Sequence, residues 1–393
     1  MDAIRSVSIF SNYLNVHQLS VCQAIADQPT VEEFHFVSLK NDIEVVGRQR
    51  LDDAFPFVIK AYEGSDASSL AMSHAIGDDL AIFGDMAGQE QYVRARMRKG
   101  LTSFRYAERL LKRGLKWRFV PPKIKRTNDW FLRYAKKRFY CLCASAYTSY
   151  DLSLFGFPLS KCFKWGYFPA YSAMPDNSHC NSRMELLWVG RLIDWKRPSM
   201  AIEAANYLLE NDIPFRLRIV GDGQLLGRLR NEIERRGLRD YVDLYGERTH
   251  QEVYRLMQQS DVLLMTSNRK EGWGAVINEA MSCGCVVVAS SIAGAAPYLI
   301  KDGENGLLFA TDDVSGMCHA VRYLAYGGNE LISRMGECAR RTIQQTWNAE
   351  EAVRRLFTLV PALEQGAKSP FSDGPCSPAE MLKDDWFPLS RGA

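Results

Sequence analysis

The sequence predicts an α/β protein built on two doubly wound parallel sheets, and three observations predict it. Short apolar runs rich in β-branched residues alternate with helical stretches along most of the chain. Several of these runs end on glycine turns of the kind that pass a strand into a helix. At 393 residues, the chain exceeds one compact core and suggests roughly two domains of ordinary size.

The second half carries the rhythm most clearly. MELLWVG (Met184 to Gly190) has strand chemistry, and Ala201, Ala204, Ala205 and Leu208 then recur at helical spacing. FRLRIVGDG reads as a strand running into a glycine turn. Leu225, Leu229 and Ile233 form a helical stripe, and Gly237 stands where a helix C-terminal cap belongs. YVDLYG is the next strand, and Thr249 to Glu252 has the form of a capping box that opens a helix. DVLLMTS and CVVVAS are further strands, with a helix between them from about Gly274 to Cys283.

The first half repeats the pattern less cleanly. SVSIFSNY, EEFHFVSL, FPFVIKAY, DDLAIFGD and RFYCLCASAY are its candidate strands. The polar, turn-rich AYSAMPDNSHCNSR (Ala170 to Arg183) marks the boundary, giving domains at residues 1–178 and 179–364. Residues 365–393, rich in Ser, Pro and Gly, read as a tail with an aromatic anchor.

Composition narrows the class. Apolar content of 47% and charged content of 24% match a soluble globular protein. No run of about 18 apolar residues suggests a membrane span, and the first residues lack the pattern of a secretory signal. The cysteine pairs Cys141/Cys143 and Cys283/Cys285 lack the spacing of a zinc site and are expected to be free thiols on buried strands in a reducing cytosol.

In doubly wound sheets, ligands bind at the carboxyl ends of the strands. Four features of the second half fall at such ends. They are Arg191 and Lys196 in GRLIDWKR, the turn Gly221-Asp222-Gly223, the turn Gly246-Glu247-Arg248, and SNRKEGWGAVINEA. Cations, glycines and carboxylates on one rim suit a nucleoside diphosphate, with free N–H groups at the start of the Gly274 helix as a further anion contact. Taken singly, each has a plainer reading as a tight turn, a solvated rim or an edge glutamate snorkelling to water.

The run VGRLIDWKR, IVGDG, VDLYGERTHQEVYRLMQQSDVLLMTS, EGWGAVINEAMSCGCVVVAS and GAAPYLIKDGENGLLF resembles the retaining glycosyltransferases of family 4. The resemblance covers nearly all of Met184 to Phe309, and its most specific part is the pair Glu271 and Glu279, eight positions apart. It implies the GT-B architecture of two Rossmann-like domains facing each other across a cleft. It implies that Arg191 and Lys196 contact the donor diphosphate, that Glu279 holds the ribose hydroxyls, and that Glu271 holds hydroxyls of the transferred sugar. Gly221, Gly223, Gly246 and the Gly272-Trp273-Gly274 backbone would complete the donor site. The reaction implied is a front-face displacement in which the leaving phosphate accepts the acceptor's proton. With no Asp-x-Asp motif in view, neither a metal nor any other cofactor is expected, only a nucleotide-diphosphate sugar as substrate.

The first half departs from the commoner family pattern, because SNYLNVHQLSVCQA stands where many members have a Gly-Gly loop. NYLNVHQ, LTSFRYAER and KWGYFP resemble a bacterial polysaccharide-assembly branch, which makes His17 and Arg105 acceptor-side candidates. His17 also reads as a helix cap or a packing residue.

Charge is concentrated in one stretch. Between Arg94 and Arg138 stand seventeen Lys and Arg against Glu108 and Asp129, in a chain whose net charge is +3. With Trp117, Phe119, Trp130, Phe131 and Phe139 interleaved, this composition suits an anionic membrane surface. No recognition motif favours nucleic acid, and a solvated face is the plainer alternative.

The combined expectation is a cytoplasmic glycosyltransferase, peripheral on the inner face of the membrane. It would pass a sugar to a lipid-linked or saccharide acceptor in cell-surface glycan assembly. A UDP-sugar epimerase of the same fold and a non-catalytic sugar-nucleotide-binding or membrane-scaffold protein are the competing readings.

Overall fold

The computed structural model describes residues 4–41, 51–84, 88–170 and 182–389. The chain forms two compact units, Met1–Ala170 with Trp347–Leu382, and Tyr171–Thr346 with Lys383–Ala393. The anticipated boundary at residues 178 and 179 lies outside the described residues.

The first unit holds a seven-stranded sheet. Its strands are β1 (Ser6–Ser11), β2 (Glu33–Ser38), β3 (Val58–Lys60), β4 (Leu80–Phe83), β5 (Ser103–Ala107), β6 (Phe139–Cys143) and β7 (Cys162–Lys164). They lie in the order β3-β2-β1-β4-β5-β6-β7, every pairing parallel. Helices on the two faces bury both sides of the central strands, so β4 and β6 are buried at every position. Two strands escape the sequence reading. β5 carries Arg105 in its middle, and β7 has only three residues.

β7 is an edge strand, and the chain covers it. Phe163 bridges Pro378 in antiparallel fashion; Lys164 N donates to Ser377 O at 2.8 Å, and Ala379 N to Cys162 O at 2.9 Å. This satisfies an edge that would otherwise invite association. The stretch Trp347–Leu382 therefore groups with the first unit, so the division placed at residue 364 does not separate a tail from the second domain. The helix Ala349–Glu364 buries Val353, Leu356 and Leu359, and Trp347 stacks on Phe168 at 6.4 Å, within the first unit.

The second unit holds β8 (Met184–Val189), β9 (Phe215–Val220), β10 (Val242–Gly246), β11 (Val262–Met265), β12 (Val286–Ser290) and β13 (Gly306–Phe309). Their order is β10-β9-β8-β11-β12-β13, again all parallel. Gly237 follows the helix Leu226–Arg235 at φ 66°, and the Thr249–Glu252 capping box is formed, both as the sequence implies. β13 is the strand not anticipated there, being four residues long and opening on Gly306. Cys141 and Cys143 lie buried on β6, whereas Cys283 caps a helix and Cys285 sits in the turn before β12, so the strand assignment fails for the second pair. Among the described residues no helix is long and apolar enough to cross a membrane.

Arg96 shows what part of the basic stretch does. It is fully buried, with Nη1 donating to Ala75 O at 3.0 Å and Asp78 O at 2.7 Å. Nη2 donates to Asp79 O at 2.9 Å and Thr102 O at 2.7 Å, and Nε to Ser103 Oγ at 2.9 Å. One guanidinium thus ties the end of the helix Ser65–Gly77 to the chain entering β4 and β5. Burial pushes its pKa down to about 10, so it stays charged at neutral pH. Arg96→Met should cost at least about 3 kcal/mol, because several buried carbonyls lose their donor together. Arg98→Ala, at an exposed site, should cost under about 0.5 kcal/mol. Urea midpoints followed by tryptophan fluorescence check both; equal midpoints would remove Arg96 from the framework.

Candidate functional site

The loops at the carboxyl ends of β8, β9, β10 and β11 are laced together by backbone. Gly190 N donates to Val220 O at 3.0 Å, Leu192 N to Asp222 O at 2.8 Å, and Gly221 N to Gly246 O at 2.8 Å. Gly221 has φ +134°, and a Cβ there would stand 1.9 Å from the Gly190 carbonyl oxygen. At Gly223 a Cβ would stand 2.6 Å from Leu192 O. The residues singled out as donor contacts are thus, first, what lets two loops lie against each other.

The loop after β11 is held to the loop after β8. Trp188 Nε1 donates to Thr266 Oγ1 at 2.9 Å, and Thr266 Oγ1 donates to Lys196 O at 2.8 Å. Asn268 N donates to Trp195 O at 2.9 Å, and Glu271 N to Asn268 O at 2.9 Å. This scaffold brings Lys196 Nζ onto Glu271 Oε2 as an ion pair in which both side chains are largely buried. Lys196 Nζ also lies 4.8 Å from the Trp195 ring centroid, and the Arg191 guanidinium 6.0 Å from the same ring. Arg191 itself is exposed. Cations and carboxylate gather as expected, with Lys196 already engaged.

Glu279 stands in the first turn of the helix Val276–Ser282, shorter at both ends than the stretch anticipated from Gly274 to Cys283. It is 9% exposed and Glu271 is 7% exposed, so neither is a solvated edge residue. His250 Nε2 lies 3.4 Å from Glu279 Oε1, and that hydrogen bond raises the His250 pKa against the opposing effect of burial. Each carboxylate therefore faces a nitrogen group, a lysine for Glu271 and a histidine for Glu279. Trp273 points into the unit, 1% exposed, with Nε1 donating to Asn278 Oδ1 at 2.7 Å. At Gly274, φ is +96° and a Cβ would meet Met265 Cε at 2.7 Å, which explains a glycine at that turn.

Sequence reasoning missed His250, Thr266 and Asn278. The available signal was position: His250 follows β10 and Thr266 follows β11, both at strand ends.

In the first unit, His17 lines a small cavity of about 40 Å³ with Gln18, Tyr106, Trp165 and Tyr167. Its ring lies 6.1 Å from that of Tyr167. The helix Val16–Ala26 is capped by Asn15, whose Oδ1 accepts from His17 N at 3.0 Å, so His17 is not the cap. Arg105 is not brought to this cavity. It is 1% exposed, its guanidinium 4.8 Å from the Trp130 ring and 5.6 Å from that of Phe131. Its strand neighbour Tyr106 lines the cavity in its place, as the alternation of a strand requires.

The interleaved aromatics also divide. Trp130, Phe131 and Phe139 are core residues at 6%, 1% and 0% exposure, whereas Trp117 and Phe119 are exposed at 38% and 67%. Arg96, Arg105 and Arg109 are buried, and the exposed large aromatics of the basic stretch, Trp117 and Phe119, both lie in the segment Leu115–Phe119.

Among the described residues, one group has metal-type ligands, His35, His74 and Asp78, with ligand atoms within 4.8 Å of one another. The two imidazoles lie tilted with centroids 3.9 Å apart, and burial lowers the His35 pKa and raises that of Asp78.

Residues 175–342 match the family model of glycosyl transferases group 1. The putative colanic acid biosynthesis glycosyltransferase WcaL of Escherichia coli strain K12 is 29% identical over 185 residues, covering 46% of this chain and 45% of the relative. The amylovoran biosynthesis glycosyltransferase AmsK of Erwinia amylovora is 28% identical over 185 residues, with the same coverage of 46% and 45%. The chain thus matches a little under half the length of each of these relatives. Anabaena Alr3699/HepE, solved in complex with UDP, shares the fold at a TM-score of 0.66 and 16% identity, over 90% of this chain and 99% of that one. Residues 175–342 are thus similar to glycosyl transferases group 1, in a chain whose two parallel-sheet units share the GT-B fold.

Proposed function

We propose that this protein transfers a sugar, with retention, from a nucleotide-diphosphate sugar to a lipid-linked or saccharide acceptor in cell-surface polysaccharide assembly. The observation that carries the reading is the pair of buried carboxylates at the strand ends of a domain similar to glycosyl transferases group 1. Glu271 is held by Lys196, and Glu279 faces His250. Ionised carboxylates accept hydrogen bonds from vicinal diols, and a sugar nucleotide offers such diols on its ribose and on its sugar. Glu279 takes the ribose and Glu271 the transferred sugar in this reading. Arg191 and Lys196 neutralise the diphosphate as it leaves with negative charge. The leaving phosphate accepts the acceptor's proton, so the protein supplies position and charge rather than a base.

The names of the WcaL and AmsK relatives support the polysaccharide context, and HepE bound to UDP makes a uridine diphosphate sugar the first donor to try. The exposed Trp117 and Phe119 among cations support residence on the inner face of the membrane, with His17 on the acceptor side.

Glu271→Gln should keep the circular-dichroism spectrum and lower kcat by about a hundredfold or more, because the hydroxyl contact strengthens as the sugar becomes cationic. Wild-type turnover would refute the assignment.

Transfer should also survive EDTA, since the carboxylates serve as hydroxyl clamps. Loss of activity in chelator, restored by Mg²⁺ or Mn²⁺, would instead make them metal ligands.

The raised pKa of His250 gives a third test. Its charged form is favoured by Glu279, so the contact is fully present below the ordinary histidine pKa and fades as pH climbs through the raised value. In Glu279→Gln the imidazole should titrate lower than in wild type by NMR, and KM for the donor should rise. An unmoved titration would separate the two side chains.

A further inference from the structure

Between the loop that follows β5 and the helix Pro121–Trp130, the first unit contains a cavity of about 520 Å³. Arg109, Lys112, Arg113, Lys123 and Arg126 line it with Trp117, and no carboxylate lines it. Asp151 lies 3.5 Å from Arg109 Nη2, and Glu108 pairs with Lys112. Arg113 stacks over Trp117 at 4.9 Å and Arg126 over Trp130 at 5.0 Å. Ring faces orient a guanidinium without neutralising it, so the cavity keeps a positive excess.

Five cations around one space repel one another, and an anion placed among them turns that repulsion into attraction. A multivalent anion gains most, and guanidinium forks match phosphate oxygens in pairs. The start of the adjacent helix cannot supply backbone donors in their place, since Pro121 and Pro122 carry no N–H. Recognition must come from the side chains. The cavity follows the carboxyl end of β5, on the sheet edge where doubly wound folds hold ligands.

We infer that this cavity is a binding site for a phosphomonoester or diphosphate group. It shares no residue with the donor site of the second unit. The anion site stands on its own observations, and only its identification with the acceptor rests on the transferase reading proposed above. A phosphate carried by a lipid would find Trp117 and the exposed Phe119 beside the cavity for its apolar portion.

The test is calorimetric titration of inorganic pyrophosphate into the full chain carrying Arg191→Ala and Lys196→Ala, which removes the competing cations of the second unit. One variant adds Arg113→Gln, Lys123→Gln and Arg126→Gln. A control adds Arg94→Gln, Arg98→Gln and Lys99→Gln, exposed residues of the same unit that remove the same charge. The cavity triple should weaken binding about a hundredfold. The control should weaken it less than about threefold. Equal weakening by the two triples would assign the effect to a diffuse field and overturn the site, as would the absence of saturable binding.

Flotation with neutral vesicles doped with phosphatidic acid, or with phosphatidylglycerol at equal charge, separates the sources. Preference for the phosphomonoester lipid, competed by pyrophosphate, identifies a lipid headgroup. Pyrophosphate binding without vesicle capture identifies a free phosphate. Equal capture of both vesicles, unaffected by the cavity triple, would overturn the site. Loss of turnover in Glu271→Gln with pyrophosphate binding retained would keep this site apart from the transfer reading.

Discussion

The second unit is organised around the cost of burying carboxylates. Glu271 and Glu279 are about nine-tenths buried, and an ionised carboxylate taken from water must find compensation. Lys196 supplies it for Glu271, and the site's construction follows from the need to deliver that lysine. It must leave the end of β8, cross to the loop after β11, and hold its position. The Trp188–Thr266–Lys196 chain of hydrogen bonds and the Asn268–Trp195 contact do this with backbone and buried side chains. The ion pair is therefore anchored by neighbours whose own geometry is fixed, and its partners lie on different strand ends.

That arrangement also explains the glycines. Delivering Lys196 requires the loop after β8 to lie against the loop after β9, and their backbones approach more closely than any Cβ would allow at Gly221. A glycine at a strand end is usually credited to a ligand. Here it answers to the neighbouring loop as well, so its presence alone does not locate a phosphate.

Much of this architecture was legible in the sequence. β11 and β12 declare themselves because parallel strands buried on both faces need unbroken apolar runs, whereas β9 alternates apolar residues with Arg216 and Arg218 and shows itself by the glycine turn that ends it. Strands stayed hidden where that reason failed. β5 accommodates Arg105 by setting its guanidinium over the rings of Trp130 and Phe131, and β7 is a three-residue edge that pairs with residues from far along the chain. The same long-range closure carries the stretch from Trp347 to Leu382 into the first unit, which no local pattern announces. At the site, Glu271, Glu279, Lys196 and Arg191 were legible as residue types at strand ends. The pairing of Lys196 with Glu271 and of His250 with Glu279 was not, because it joins residues 75 and 29 positions apart.

The basic stretch shows how far linear charge departs from surface charge. Seventeen cations in sequence read as one patch, yet they do three different jobs. Arg96 is spent on backbone carbonyls in the interior, and Arg105 on aromatic faces. Arg109 shows the transition, since it is buried against Asp151 and Tyr147 and still lines the cavity with four more cations. A guanidinium can serve in all these settings because it is planar, weakly hydrated and always charged, whereas an ammonium is held in water more strongly. The lysines of the stretch are accordingly half-buried or exposed, while three of its arginines reach the core. Choosing arginine at positions 96, 105 and 109 is what allows a strongly cationic segment to be part of the framework and still present charge to an anion.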